Sequence, residues 1–247
     1  MNDRAAKIQR YTKETQVDIE LNLDGIGKSD IDTPNGMLNH MLEQIARHGL
    51  IDLNVTAKGD VSPGWHHMIE DVGIVLGQAF REAVGEGRGI VRMSSVTLPL
   101  DETLVVVAMD IGGRPYSVVK AVFKDSVIGD MPSDLVRHFF EVFALEAKVN
   151  LHAKVLEGTN DHHKAEALFK ALARAIRSAV ESSHISGYDV SHLHLRYLNP
   201  LPKNLGDILL KFQRILIPEL NLGQLSMVIR SKFLVDAVSL SKVQGKP

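Results

Sequence analysis

The sequence contains no cysteine. Disulfides and thiolate metal centres are thereby excluded, and any transition metal must be held by histidine and carboxylate. The absence is compatible with a cytoplasmic location. Long hydrophobic runs are also missing: no stretch of about 18 apolar residues occurs, so no membrane span is expected. Charge of one sign does not dominate either. The net charge is −2 over 247 residues, which gives no bulk field calling for nucleic acid or an anionic membrane. The opening residues MNDRAAKIQRYTKET are charged and lack an apolar core, so no secretory signal is expected there. What remains, 45% hydrophobic and 23% charged, is ordinary for a globular protein of one large or two small domains.

Histidine is the residue to follow, with 11 copies. His66-His67-Met68-Ile69-Glu70 in the first half is matched by His162-His163-Lys164-Ala165-Glu166 in the second, 96 positions on (162 − 66). On a helix, a Glu three or four places after a His shares its face, whereas adjacent His residues point about 100° apart. A His-His-x-x-Glu helix start can therefore serve two neighbouring metals. The spacing differs from the His-Glu-x-x-His of zinc peptidases, whose two His share one face. His40 and His138, 98 apart (138 − 40), lie on the preceding helix of each half. A helix His taken alone is usually structural; as matched partners of the doublets these two become ligand candidates. The inventory is His40, His66, His67, His138, His162 and His163 with Glu70 and Glu166. It suits two octahedral ions, each with three His and one Glu, and favours Mn, Fe, Zn, Co or Ni over Ca or Mg. His48, beside Gly49, is expected to complement a helix C-terminus; His152, in a strand, is expected in the core.

The surrounding pattern repeats as well. Residues 5–12 and 15–23 alternate and predict strands, followed by a short strand near 29–33. A helix from Met37 to His48 closes at Gly49, a strand covers 50–57, and a second helix spans about 66–84. The second half predicts strands at 90–98, 103–110 and 115–122, a helix at 132–148, a strand at 149–156 and a helix at 162–181. The expected class is α+β: a tandem duplication of a β-β-β-α-β-α half, residues 1–86 and 87–181, forming one domain of two small sheets with helices packed between them. Residues 182–247 stand outside the repeat as an extension with apolar segments broken by Pro200, Pro202 and Pro218.

These residues sit within motifs that resemble the imidazoleglycerol-phosphate dehydratase family over about residues 4–181. The motifs are Arg10-Tyr11-Thr12-Lys13-Glu14-Thr15, Asp24-Gly25-Ile26-Gly27, Leu38-Asn39-His40-Met41-Leu42, Ala46-Arg47-His48-Gly49, HHMIEDVG from His66, Pro99-Leu100-Asp101-Glu102, Gly113-Arg114-Pro115-Tyr116, His138-Phe139-Phe140 and NDHHKAEALFKALARA from Asn160. The resemblance implies a cytoplasmic, manganese-dependent hydro-lyase of histidine biosynthesis with two Mn2+ per active site. Its substrate would be imidazole glycerol phosphate and its product imidazole acetol phosphate. It also implies a homo-oligomer of 24 subunits with metal sites between chains, so the two doublets of one chain should lie apart and meet only across an interface. The proton to be lost is on a carbon with no adjacent carbonyl, so the imidazole ring must be the electron sink, and metals on its nitrogens favour the imidazolate. Glu14 matches a family acid/base, with Glu70 and Glu166 as further proton carriers. Arg92, Arg114 and Lys170 match phosphate-binding positions, and Gln44 and Asp101 match positions near the substrate. For Lys170 the plain alternative is an i,i+4 ion pair with Glu166.

The sequence departs from the family in three places. Asn39 replaces an Asp that would orient a ligand His. Trp65, the only Trp, precedes the first doublet where the family has a small or acidic residue, and could cover or reshape the site mouth. The family's C-terminal phosphate clamp is missing near residue 190; Ser241 and Lys242 are the displaced equivalents to test. These departures motivate one rival reading, a metal-binding shell protein with weakened catalysis; a separate rival is a different metal enzyme, such as a hydrolase of a phosphorylated substrate using metal-bound hydroxide.

Overall fold

The computed structural model describes residues 4–59, 62, 64–181, 193, 195, 198–219 and 222–241. The chain forms two compact units, Met1–Ser191 and His192–Pro247. Among the described residues no helix is long and apolar enough to cross a membrane.

The first unit is α+β and duplicated. Its first half runs β1 (Ala5–Tyr11), β2 (Thr15–Asn22), β3 (Ser29–Asp32), α1 (Gly36–Gly49), β4 (Asp52–Gly59) and α2 (His66–Val84). The second runs β5 (Met93–Leu100), β6 (Thr103–Asp110), β7 (Tyr116–Lys120), the short pair β8 (Val127–Ile128) and β9 (Met131–Pro132), then α3 (Asp134–Ala147), β10 (Asn150–Glu157) and α4 (Asp161–Val180). The sheets have matching orders, β1-β2-β4-β3 and β5-β6-β10-β7. In each the third strand pairs parallel to the fourth and the rest pair antiparallel. The offset between halves grows from 88 at β2/β6 (103 − 15) to 98 at α1/α3 (134 − 36), because the β8–β9 hairpin occupies the added residues. That hairpin has a mechanical role: the Asp130 carboxylate at its turn accepts the backbone N–H of Gly36 (2.7 Å) and Met37 (2.8 Å), capping α1 of the other half.

Alternation decides which faces meet. Val17, Ile19 and Leu21 of β2 and Val105, Val107 and Met109 of β6 point inward and are buried. The same alternation corrects the expectation for His152. On β10 its neighbours Leu151 and Ala153 take the buried face, so His152 is exposed on the outer face. Helices pack across the halves, α2 on α3 and α1 on α4. Small residues allow close approach. A Cβ on Gly77 of α2 would lie 2.8 Å from the Phe143 carbonyl oxygen of α3, and one on Gly73 would lie 2.6 Å from Val142 Cγ2. Helix α1 ends one residue later than expected: Gly49 is still helical, and Leu50 makes the left-handed turn at φ 52°.

The second unit contains α5 (Leu205–Leu209), β11 (Ile215–Glu219), α6 (Gln224–Phe233) and β12 (Ala237–Ser241), with β11 parallel to β12. Leu201, Leu205, Leu209, Ile217, Ile229 and Ala237 form its own core. Lys242 lies outside the described residues, as does the side chain of Ser241.

Candidate metal centre

Helix pairing across the halves builds two like sites. Where α1 meets α4, His40 comes together with His162 and Glu166; where α2 meets α3, His138 comes together with His66 and Glu70. In each trio the ligand atoms lie within 4.8 Å of one another. Glu166 Oε2 is 3.2 Å from His162 Nε2 and 3.4 Å from His40 Nε2. Glu70 is 3.3 Å from His138 Nε2 and 3.9 Å from His66 Nε2. The imidazoles stack at 5.5 Å for His40/His162 and 4.7 Å for His66/His138. Two imidazoles and a carboxylate converging at the surface form a donor set that fits a borderline divalent ion.

The first His and the Glu of each doublet, one turn apart, share a trio. The second His of each doublet does not: His67 and His163 stand nearly perpendicular to their neighbours, at 85° and 81°. The two doublets thus fall in different trios, and among the described residues each trio brings together three ligands. Asn160, the N-cap of α4, fixes the second doublet by accepting the N–H of His162 (2.9 Å) and His163 (3.3 Å). Trp65 at the equivalent position of α2 makes no side-chain cap; it is half-buried against the main core.

The remaining predicted residues fall around these trios in different states. Gln44 is buried and donates to the His40 carbonyl (3.2 Å), with its amide 3.4 Å from His40 Nδ1. Lys170 pairs with Glu166 at 2.5 Å, the i,i+4 alternative raised by the sequence. Burial would raise the Glu166 pKa, but Lys170 and His40 outweigh it and hold the carboxyl below its usual range. Arg92, at φ 74°, is engaged by Asp110 through two hydrogen bonds of 2.7 and 3.0 Å. Arg114 is exposed in the turn before β7 and makes no ion pair among the described residues. Glu14 is exposed in the β1–β2 hairpin. That hairpin is tied down by the buried Asp71, which accepts from Arg10 Nε (2.7 Å) and from the Thr15 hydroxyl. Asp101 lies 3.8 Å from His163 Nε2.

Asn39, where the family has Asp, turns back to Thr33. Its amide accepts from the Thr33 N–H (3.1 Å) and hydroxyl (2.6 Å) and donates to the Thr33 carbonyl (3.0 Å), closing the approach to α1. The donation requires an amide, which explains Asn rather than Asp. His48 lies in the last turn of α1, the place expected of it, and burial together with the nearby Lys170, Arg47 and Arg174 lowers its pKa. One residue near the site has a role that its motif alone does not assign: Glu102, whose carboxylate meets His163 Nδ1 at 2.8 Å. Only the hairpin register places it there, and no spacing rule in the sequence signals it.

A sequence model of the family described as imidazoleglycerol-phosphate dehydratase matches residues 33–176. An imidazoleglycerol-phosphate dehydratase of Dehalococcoides mccartyi is 52% identical over 179 residues, covering 72% of this chain and 90% of the relative. One from Methanothermobacter thermautotrophicus is 53% identical over 175 residues, covering 71% of this chain and 90% of the relative. The crystal structure of imidazoleglycerol-phosphate dehydratase from Staphylococcus aureus superposes with a TM-score of 0.66 at 36% identity, covering 72% of this chain and 99% of that one.

Proposed function

Since this chain belongs to the imidazoleglycerol-phosphate dehydratase family, we propose that its two trios hold manganese and that active sites are completed between copies of the chain. The reaction is the removal of water from imidazole glycerol phosphate to give imidazole acetol phosphate, a step of histidine biosynthesis. The observation that carries the metal reading is the pair of three-ligand trios, each drawn from both halves, with the second His of each doublet left outside. Three protein donors fall short of an octahedral shell. A His67 or His163 from another copy would raise each set to three His and one Glu, which makes assembly into a cytoplasmic shell of 24 subunits part of the proposal.

Manganese bound there supplies Lewis-acid stabilisation to the imidazole ring of the substrate. The chain's own residues do the rest. Glu14 takes the carbon-bound proton, and the Asp71 anchor of its hairpin sets where that carboxylate stands. Glu70 and Glu166 serve first as ligands and can relay protons. Arg92, Arg114 and Lys170 bind the phosphate, Arg114 directly and the other two by exchanging their Asp110 and Glu166 partners for it. Gln44 holds His40 in place, and Asp101 stands at the mouth beside His163.

The test is turnover of imidazole glycerol phosphate by the Mn2+-loaded protein, with and without chelator. Product that vanishes with chelator, and a fall in kcat of about 10²–10⁴ in Glu14→Gln, would support the proposal. Turnover that survives complete metal removal would refute it. Tight Mn2+ binding without turnover would favour the shell-protein reading.

A further inference from the structure

The two doublets are not built alike. In the second half, the β5–β6 hairpin closes at the Leu100–Thr103 pair, and Asp101 takes the left-handed conformation at φ 48°. That turn aims Glu102 at the start of α4. One carboxylate oxygen, Oε1, accepts the N–H of Asn160 (2.8 Å) and Thr159 (3.2 Å) and the Thr103 hydroxyl (3.1 Å). The other, Oε2, lies 2.8 Å from His163 Nδ1. The close approach of hairpin and helix start needs Gly158, at φ 146°, where a Cβ would sit 2.5 Å from Thr103 Oγ1. In the first half, no carboxylate among the described residues hydrogen-bonds His67, and α2 begins without a side-chain cap.

We propose that Glu102 is a positioning residue for His163: anchored on the backbone of the α4 start, it fixes the Nδ1–H tautomer and ring orientation, leaving Nε2 as the donor that a metal takes. The physical logic is that of a carboxylate behind a ligating imidazole. The hydrogen bond at one nitrogen settles which nitrogen carries the lone pair and raises its basicity. A three-point anchor matters here because His163 stands outside its own chain's trios. Its ring must hold a fixed direction from its own chain's scaffold before a metal on another copy can use it. His67 has no such support, so the two metal positions should differ in what they demand of their fourth ligand. This inference rests on the metal reading above.

The experiment is isothermal titration of Mn2+ into metal-free wild type, Glu102→Ala and Glu102→Gln, with the melting temperature of each metal-free protein measured alongside. Glu102→Gln keeps a carbonyl oxygen for the Thr159 and Asn160 amides but loses the charged acceptor facing Nδ1. The expected result is a loss of affinity of about 10–100-fold at one of two sites in Glu102→Ala. Glu102→Gln should show a clear loss at the same site with a metal-free melting temperature like that of wild type. Wild-type affinity in Glu102→Ala overturns the proposal. So does affinity that falls only in step with melting temperature and returns fully in Glu102→Gln, which marks a purely structural anchor. Failure of wild type to bind Mn2+ refutes the metal reading itself, and this proposal with it.

Discussion

Removing the Asp161 carboxylate should be among the most damaging single changes to the first unit. Its Oδ2 accepts the backbone N–H of Lys124 (2.6 Å) and Asp125 (2.7 Å), and its Oδ1 accepts from Lys164 Nζ (2.8 Å). Both side chains are buried, with Asp161 at 6% and Lys164 at 7% exposure. Among the described residues Lys164 has one other partner, the Val122 carbonyl at 3.2 Å. Asp161→Ala therefore strands an ammonium in the interior and orphans two amides of the loop entering β8. Breaking one side of a buried pair costs about 3–5 kcal/mol. Each amide would add about 1–3 kcal/mol if water could not reach it; Lys124 and Asp125 are exposed, so water takes over both amides and the total should stay at about 3–5 kcal/mol. Pairing Asp161→Asn with Lys164→Met should cost less than the two single changes summed, because the stranded charge is gone. Burial alone would raise the Asp161 pKa; the Asp125 N–H, Lys164 and the Lys124 N–H reverse this and hold it low. A depressed folded value means that the contribution is present above the unfolded pKa of about 3.9 and is lost as pH falls through the lower folded value. Urea unfolding at fixed chain concentration, at pH 7 and in steps from pH 5 to pH 3, measures both effects. A loss under about 1 kcal/mol at pH 7, or an acid limb identical in wild type and Asp161→Ala, would refute the reasoning.

Three further changes test other joints of the account. Gly77→Ala should separate α2 from α3, since its Cβ would meet the Phe143 carbonyl at 2.8 Å; we expect a cost of about 1–3 kcal/mol in unfolding and weaker Mn2+ binding at the His66/Glu70/His138 trio. Asp130→Ala should leave the Gly36 and Met37 N–H of α1 without their acceptor, beside the intact Asn35 cap, and cost about 1–2 kcal/mol in denaturant unfolding, with Asp130→Asn recovering part of it. Asn39→Asp should lower stability by about 1–3 kcal/mol through loss of the amide donation to Thr33, while calorimetry shows Mn2+ affinity unchanged, because the side chain faces Thr33 and not the His40 ring.

Much of the fold is written in periodicity. Val17, Ile19 and Leu21 on a period of two, and Met37, Met41, Leu42 and Ile45 on a helical period, each mark one buried face, so strands and helices of both halves follow from pattern alone. The duplicated doublets likewise announce themselves. What pattern cannot supply is contact between elements distant in sequence. That His40 joins His162 rather than His66 depends on α1 packing against α4, which is set by tertiary burial. Asn39 shows the same limit: its neighbour in sequence is a ligand candidate, yet its amide turns back to Thr33. The β8–β9 hairpin, two residues per strand, is too short to carry an alternation. The role of Glu102 is hidden for a further reason, since it arises from a two-residue turn landing on the start of a helix in another part of the chain.

The measurement that bears most directly on the central claim is anomalous diffraction at the manganese edge from Mn2+-loaded crystals. The account predicts two ions per chain, one on His40, His162 and Glu166 and one on His66, Glu70 and His138, each also ligated by a His67 or His163 from another copy. Manganese held by one chain alone, or found away from both trios, would contradict it.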